Sequence, residues 1–139
     1  MNQDMEKRLI EAAIAARNNA YAPYSCFNVG AALLTAKGNI YSGCNIENAA
    51  YSPSLCAERA AIAAAISNGE RDFEMLAIVG DCGDAYCYPC GVCRQWLSEF
   101  CNDDFPIIVA KNADDYSKIK LSELLPYAFT ARSMKKNSE

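Results

Sequence analysis

The hydrophobic pattern of the first half of the chain predicts a helix followed by a β-hairpin. Apolar residues recur at helical spacing over 9–17, which indicates an amphipathic helix. The apolar segment 27–35 predicts a strand, the segment A-K-G-N at 36–39 predicts a turn, and 40–46 predicts the partner strand. Because these two strands pair as a hairpin, the sheet that they begin is not wholly parallel.

The second half of the chain alternates between helices and strands. A helix of small apolar residues is expected to begin near Ser54 and to end at Gly69, a favourable residue just beyond a helix. Polar residues from about Ser133 onward are expected to form a frayed tail. The other predicted elements are strands at 73–80, 105–111 and 118–121, a helix at 90–100 and a short helix at 121–126. This alternation predicts an α/β layer fold with a mixed sheet.

The predicted second helix is apolar on almost every side between residues 60 and 66. A helix without a polar face is buried on several sides. Contact with a neighbouring subunit and a central position within one chain both satisfy that requirement. The sequence leaves the two arrangements open.

Length and charge restrict the class of protein. A chain of 139 residues is expected to form a single domain over 1–139. A net charge of −4 without a basic stripe disfavours nucleic acid as a partner and suits a small neutral ligand. The N-terminal segment lacks the apolar region of a signal peptide, and 60–66 is too short to span a bilayer. No membrane association and a cytoplasmic location are therefore expected.

Eight cysteines occur in a chain without histidine. In a reducing cytosol, clustered cysteines indicate metal ligands or catalytic groups rather than disulfides. Any zinc site must then use thiolates or carboxylates, and any general base must be a group other than imidazole. Outside such a cluster, Cys26, Cys44, Cys82 and Cys101 are each expected to be small buried hydrophobic residues, and Cys87 a loop residue.

Three cysteines stand where zinc ligands are expected. Cys90 and Cys93 follow Pro89 at a predicted helix start, where positions i and i+3 share one face and the helix N-terminus favours anions. Cys56 supplies a third thiolate from the start of another helix. Three protein ligands leave the fourth position of zinc open, which is typical of a catalytic site.

Two charged residues accompany Cys56. Glu58 is two positions further along, so it faces differently from Cys56 and is the candidate general acid and base rather than a ligand. Arg59 is three positions further along and can donate hydrogen bonds to the ligand sulfurs, which offsets their negative charge. Each charge alone is most often a solvated helix residue. Their combination with Cys56 and the P-C-x-x-C segment favours the functional interpretation.

These motifs together resemble those of zinc-dependent nucleoside deaminases. C-A-E at 56–58 and P-C-G-V-C at 89–93 are similar to the family signature H-x-E followed by P-C-x-x-C, with Cys56 in the place of the histidine. Segments at 24–34, 43–51 and 124–129 look like those of the small, homotetrameric, all-cysteine cytidine deaminases. The resemblance extends over about 21–129. It implies a three-layer α/β/α sandwich around a mixed five-stranded sheet, and hydrolytic deamination of cytidine and deoxycytidine with release of ammonia.

The resemblance also implies a role for individual residues and a shared active site. One Zn²⁺ per chain would be bound by three cysteines, Glu58 would transfer protons, and Arg59 would lie against the zinc thiolates. The implied zinc ligands are Cys56, Cys90 and Cys93. The implied substrate contacts are Asn45 and Glu47 to the 3′-hydroxyl of the ribose, Phe27 packing against the nucleoside, the backbone of Ala57 to the base oxygen, and Phe129 stacking on the base in a neighbouring subunit.

The residues by themselves leave other interpretations open for several of these positions. Asn45 and Glu47 suit a turn after a hairpin strand, Phe27 suits a core position, and Phe129 suits an anchor for the tail. A related deaminase acting on a substrate such as blasticidin S is an alternative on the same fold. A non-enzymatic zinc-binding module, with Cys87 as a fourth ligand, is an alternative from a different class.

Overall fold

A five-stranded mixed sheet forms the centre of the protein. The computed structural model describes residues 3–135. The strands lie in the order β2-β1-β3-β4-β5, in which β3 and β4 are parallel and every other neighbouring pair is antiparallel. The helices are α1 Gln3–Arg17, α2 Ala57–Ser67, α3 Gly91–Phe100 and α4 Leu121–Leu124, and the strands are β1 Val29–Thr35, β2 Ile40–Cys44, β3 Phe73–Gly80, β4 Pro106–Asn112 and β5 Asp115–Lys120.

Alternate residues of the central strands pack against helices on opposite faces of the sheet. Helix α1 covers one face, where Leu9 and Ile10 pack with Leu34 of β1. Helices α2 and α3 cover the other face, where Ile62 and Leu97 pack in the cluster that contains the remaining inward side chains of β1. Because β1 lies between two helical layers, all seven of its residues are buried. The predicted three-layer α/β/α sandwich with a mixed sheet is therefore confirmed.

Two strand glycines allow the helices to approach the sheet closely. A β-carbon at Gly30 would lie 1.9 Å from the carbonyl oxygen of Ala13 in α1. On the opposite face, a β-carbon at Gly43 would lie 2.6 Å from the backbone nitrogen of Ala61 in α2. Both neighbours are backbone atoms, so neither can rotate away as a side chain would. The absence of a side chain at these positions therefore sets the distance between each helix and the sheet.

The second helix begins later than its composition predicts. It starts at Ala57, and Cys56 keeps an extended conformation with φ −77° and ψ 154°. The preceding residue, Leu55, pairs with Ile46 in an isolated β-bridge, and that pairing holds the chain extended. In this chain α2 is buried along the side that faces the sheet, whereas Ala60, Ala63 and Ala64 are half-buried.

The chain ends differ from the predictions in smaller ways. Helix α1 begins at Gln3 rather than near residue 9, because Met5 and Glu6 extend its amphipathic pattern. A 3₁₀ helix, Ala131–Met134, includes Ser133, where a frayed tail was expected to begin. Residues 136–139 lie outside the described residues, so the frayed tail and the single domain over 1–139 remain predictions. Within 3–135, no helix has both the length and the apolar character needed to cross a membrane.

Candidate metal centre and substrate cleft

Three thiols converge at the N-terminal ends of two helices. The sulfur of Cys90 lies 3.6 Å from that of Cys56 and 3.4 Å from that of Cys93. The three sulfurs all lie within 4.8 Å of one another. Thiolates that share one tetrahedral zinc ion at about 2.3 Å lie roughly 3.8 Å apart, so this spacing suits a single ion. The structure thus brings together the three predicted ligands from two separate segments.

The positions of two of these cysteines at helix starts explain why their sulfurs are available to bind a metal ion. Cys56 and Cys90 are the N-cap residues of α2 and α3, and neither side chain makes a capping hydrogen bond. Both have extended backbone conformations, so each sulfur stands at the end of its helix rather than along its side. The unpaired N–H groups and the dipole at a helix N-terminus stabilise thiolates. Two helices therefore direct positive potential at one point.

Arg59 lies in the first turn of α2 and contacts the cluster. Its Nη2 donates a hydrogen bond to the sulfur of Cys56 at 3.4 Å and one to the carbonyl oxygen of Ser54 at 3.5 Å. Its Nε is buried and, in the part of the chain that the structure describes, lacks a hydrogen-bond acceptor. A buried cationic donor next to thiols favours additional negative charge beside it. This arrangement agrees with the predicted role of Arg59 in offsetting the charge of thiolates.

Cys56 and Cys93 differ in their affinity for protons. The hydrogen bond from Cys93, together with those from Arg59 and Cys90, lowers the pKa of Cys56 to about 5. The hydrogen bond to Cys56 and burial raise the pKa of Cys93. Of these two thiols, Cys56 therefore ionises first and Cys93 keeps its proton. A divalent cation would displace that proton, as thiolate ligation requires.

Glu58 is buried beside the cluster. Its side chain is 4% exposed and lies in the first turn of α2. Burial, together with the negative charge of Cys56, raises the pKa of the Glu58 carboxyl to about 7. Among residues 3–135, the group of potential metal ligands at this point contains the three cysteines and not Glu58. The carboxyl is thus separate from the ligands and has a proton affinity suited to acid and base chemistry near neutral pH.

A cleft of about 420 Å³ opens onto Glu58 and two of the thiols. Its volume is in the range of small-molecule sites. A larger depression of about 610 Å³ near the C-terminal segment contains neither the thiols nor a buried carboxyl, so it offers no comparable chemistry. The cleft is lined by Ser25, Phe27, Val29, Asn45, Glu47, Cys56, Ala57, Glu58, Cys87, Tyr88 and Cys90. Four of the five predicted substrate contacts are among these residues.

Asn45 and Glu47 organise the loop that carries Phe27. The amide of Asn45 accepts a hydrogen bond from the N–H of Val29 at 2.9 Å and donates one to the carbonyl oxygen of Phe27 at 2.7 Å. The carboxylate of Glu47 accepts the hydroxyl of Ser25, the N–H of Ser25 at 3.1 Å and the N–H of Tyr24 at 2.9 Å. Hydrogen bonds from Ser25 hold the pKa of Glu47 below its usual range. Both residues retain bonding capacity at the cleft, since an amide offers two N–H groups and a carboxylate four acceptor sites.

Phe129, the fifth predicted substrate contact, lies away from the cleft of its own chain. The residue is 62% exposed. Its carbonyl oxygen accepts a hydrogen bond from Gln95 of α3 at 2.7 Å, which attaches this segment to the helix. The backbone of Phe129, rather than its ring, therefore holds this segment in place within the chain.

Sequence reasoning missed four residues that line the cleft: Ser25, Val29, Cys87 and Tyr88. Ser25 and Val29 each lie two residues from Phe27 in the same motif, so their closeness to a predicted substrate contact could have identified them. Cys87 is a loop residue as predicted, but it also forms part of the cleft wall. It is not part of the three-thiol group, which argues against a four-cysteine zinc module.

The remaining cysteines only partly follow the prediction of buried hydrophobic residues. Cys26 is exposed, because it occupies a turn with a φ of 59°, so that prediction is wrong. Cys44, Cys82 and Cys101 are half-buried. Burial raises the pKa of Cys101 to about 12. These thiols do not join the metal centre.

Comparison with known proteins identifies the family. A sequence model of the cytidine and deoxycytidylate deaminase zinc-binding region matches residues 3–109. A cytidine deaminase from Sporosarcina psychrophila is 47% identical over 131 residues, which cover 94% of this chain and 95% of the relative. A blasticidin-S deaminase from Bacillus cereus is 34% identical over 110 residues, which cover 74% of this chain and 77% of the relative.

A solved structure supports the same assignment. The crystal structure of cytidine deaminase from Burkholderia pseudomallei superimposes with a TM-score of 0.83 at 44% identity, and covers 88% of this chain and 97% of that chain. The predictions of this family, of a deaminase enzyme and of zinc as the cofactor are confirmed. The chain belongs to the cytidine and deoxycytidylate deaminase family.

Proposed function

We propose that this chain hydrolyses cytidine and deoxycytidine to uridine and deoxyuridine, with release of ammonia. The observation that carries the proposal is the position of buried Glu58 beside three converging thiols, at a cleft that Asn45 and Glu47 also line. The relatives described above that bear the name cytidine deaminase support this substrate class.

The donor set fits zinc. Three soft thiolates at tetrahedral spacing, with Arg59 against one of them, suit Zn²⁺ held by Cys56, Cys90 and Cys93. When bound, zinc supplies a Lewis acid that makes water a nucleophile at neutral pH. Because three protein ligands leave one position open, the site suits catalysis rather than a purely structural role.

Glu58 would carry the protons of the reaction. With a raised pKa, its carboxyl can accept a proton from the attacking water and donate it to the ring nitrogen N3 of the pyrimidine. It can then transfer a second proton to the departing amine, so that ammonia leaves. The low exposure of Glu58 keeps these transfers separate from bulk solvent.

The cleft residues would hold the nucleoside. Asn45 and Glu47 would hydrogen-bond the 3′-hydroxyl of the ribose, and Phe27 would pack against the nucleoside. Ala57 is the first residue of α2, so its N–H has no acceptor within the helix and is available for the base oxygen. These roles would place the amino group of the base toward Glu58.

The active site would be shared between subunits of a homotetramer in the cytoplasm. The exposed ring of Phe129 would stack on the base bound by a neighbouring chain, and the half-buried side of α2 would contact another subunit. The partner is a small nucleoside, and neither nucleic acid nor a membrane takes part.

The first test is ammonia release from cytidine by zinc-loaded protein, with Glu58→Gln assayed beside it. We expect turnover by the wild type and a loss of at least about 10²–10⁴-fold in Glu58→Gln. The variant should still bind one zinc per chain, since Glu58 lies outside the ligand group. A wild type that binds zinc but does not release ammonia from cytidine would refute the assignment.

A second test addresses the shared site. Glu58→Gln and Phe129→Ala are each expected to have strongly reduced activity as pure proteins. If their subunits exchange in mixed oligomers, a chain with intact Glu58 can receive Phe129 from its neighbour, so activity should return. Activity that stays low after proven subunit exchange would place Phe129 outside the neighbouring site.

Blasticidin S is the second candidate substrate, because of the relative from Bacillus cereus. The cleft favours a nucleoside, since Asn45 and Glu47 both line it. Parallel assays with cytidine and blasticidin S should give the higher kcat/KM for cytidine. The opposite order would reassign the substrate and retain the reaction.

A further inference from the structure

Two cysteines outside the zinc ligands lie side by side in the loop before α3. A β-carbon placed on Gly80, the last residue of β3, would lie 2.7 Å from the sulfur of Cys87 and 3.4 Å from that of Cys82. Both sulfurs therefore occupy the space above the same glycine. The absence of a side chain at Gly80 allows the two thiols to meet there.

The local hydrogen bonds hold the loop in this folded form. The N–H of Asp81 donates to the carbonyl oxygen of Asn28 at 3.1 Å, and the hydroxyl of Tyr86 donates to Asp115 at 2.7 Å. Between these anchors, the N–H of Ala85 donates to the carbonyl oxygen of Cys82 at 3.1 Å. The turn thus brings Cys82 back toward Cys87.

The surroundings of Cys87 also affect its reactivity. Burial, together with the neighbouring Cys82, raises the pKa of Cys87 to about 12. The thiolate is the nucleophile in disulfide exchange. Cys87 is therefore poorly suited to the first attack on an external disulfide, which leaves that step to Cys82 and the resolving step, within the protein, to Cys87.

We infer that Cys82 and Cys87 form a reversible disulfide in the wall of the substrate cleft, with a low-molecular-weight disulfide as the oxidant. The sulfur of Cys82 attacks one sulfur of the oxidant, forming a mixed disulfide and releasing one small thiol. The sulfur of Cys87 then attacks the sulfur of Cys82, and the second small thiol leaves. The protons of the two protein thiols end on the two released thiols, so the small disulfide is reduced as the protein is oxidised.

The position of Cys87 connects this bond to the active site. Cys87 and Tyr88 both line the cleft, and Cys87 does not belong to the three-thiol group. A disulfide draws its two sulfurs to about 2.05 Å, which displaces Cys87 toward Cys82 and reshapes that wall. Oxidation is therefore expected to weaken nucleoside binding and to leave zinc in place. The disulfide itself does not depend on the proposed function, but its effect on turnover does.

The test uses zinc-loaded protein treated with glutathione disulfide, followed by alkylation and cleavage before aspartate. Cleavage separates the peptide 81–83, which carries Cys82, from the peptide 84–102, which carries Cys87, Cys90, Cys93 and Cys101. We expect the two peptides to be joined by a disulfide. The joined product should be absent in Cys87→Ser and unchanged in the matched control Cys101→Ala.

Further measurements separate the outcomes. Oxidised protein should retain its zinc, show a raised KM for cytidine and recover fully with dithiothreitol. A joined product that persists in Cys87→Ser would overturn the pairing, as would a stable glutathione adduct on Cys82 without ring closure. Loss of zinc on oxidation would also overturn it, because the ligand thiols would then be the reacting groups. If no cytidine turnover exists at all, the peptide result alone still decides whether the disulfide forms.

Discussion

Gly43→Ala provides a test of how the close contact between β2 and α2 sets the metal centre. The new β-carbon would lie 2.6 Å from the nitrogen of Ala61, 2.7 Å from Cβ of Ala60 and 2.8 Å from the carbonyl oxygen of Ala57. Ordinary contact begins at 3.4 Å, so α2 must move away from the sheet by roughly 0.8 Å. The displaced segment is the first turns of the helix that carries Cys56.

The expected effect on function follows from that displacement. Overpacking of this kind destabilises a fold by about 1–3 kcal/mol. Misplacement of a reacting group by about 1 Å can reduce the rate on the order of 10²-fold, so a shift of this size should lower kcat/KM by roughly 10–10²-fold. Retention of zinc during dialysis should fall as well, because Cys56 moves while the ligands on α3 do not.

The control for this prediction is Gly30→Ala. Its β-carbon would lie 1.9 Å from the carbonyl oxygen of Ala13, on the opposite face of the sheet from the thiols. It should lower the midpoint of thermal unfolding at least as much as Gly43→Ala, yet the folded fraction should keep its zinc. Ammonia release, zinc content and thermal unfolding of both variants are the measurements. If Gly43→Ala retains wild-type kcat/KM and zinc, the glycine does not set the position of α2.

Three other predictions concern single groups. Removal of zinc by a chelator should abolish activity. Iodoacetamide at pH 6 should then modify Cys56 before Cys93, since the pKa of Cys56 is about 5 and that of Cys93 is raised. Mass spectrometry that finds Cys93 modified first would contradict this order. Glu47→Gln should raise the KM for cytidine but hardly change the KM for a 3′-deoxy analogue, which lacks the hydroxyl that Glu47 would bind. An equal rise in KM for both substrates would mean that Glu47 acts only by holding the loop. Hydrogen bonds from Asn39 and Tyr41 hold the pKa of Glu70 in the folded protein below its usual 4.5. The stability that these hydrogen bonds contribute is therefore fully present above pH 4.5, and it is lost as the pH falls through the pKa of Glu70 in the folded protein. Urea unfolding of Glu70→Gln should therefore differ from the wild type at pH 7 and converge with it at low pH, and a constant difference would refute the linkage.

The candidate metal ligands and the candidate proton carrier were predictable because their signals are local. The spacing of Cys90 and Cys93 at a helix start puts both sulfurs near one point, and the sequence directly contains that spacing. Glu58 and Arg59 follow Cys56 closely enough for helix geometry alone to separate their directions. Only the family resemblance predicted that Asn45 lies in the same site as these segments, because the spacing of residues along the chain does not show it.

The wall of the cleft could not be predicted in the same way. Cys87 reaches the cleft because the chain folds back over Gly80, a contact between separate parts of one loop. The start of α2 was misplaced because Leu55 pairs with Ile46, and tertiary pairing overrides the preference of small residues for a helix. The local conformation of Cys26 likewise turned an expected core residue outward.

The amino-acid sequence by itself determined the order of the elements, the mixed sheet, and the three thiols and one carboxyl that are the candidate reactive groups. These properties depend on periodicity, spacing and residue type, which act over a few neighbouring residues. The tertiary structure decided the distances among the thiols, the burial that raises the pKa of Glu58, and the approach of Cys82 to Cys87. Burial and through-space contact depend on how distant segments pack, so only the folded chain defines them.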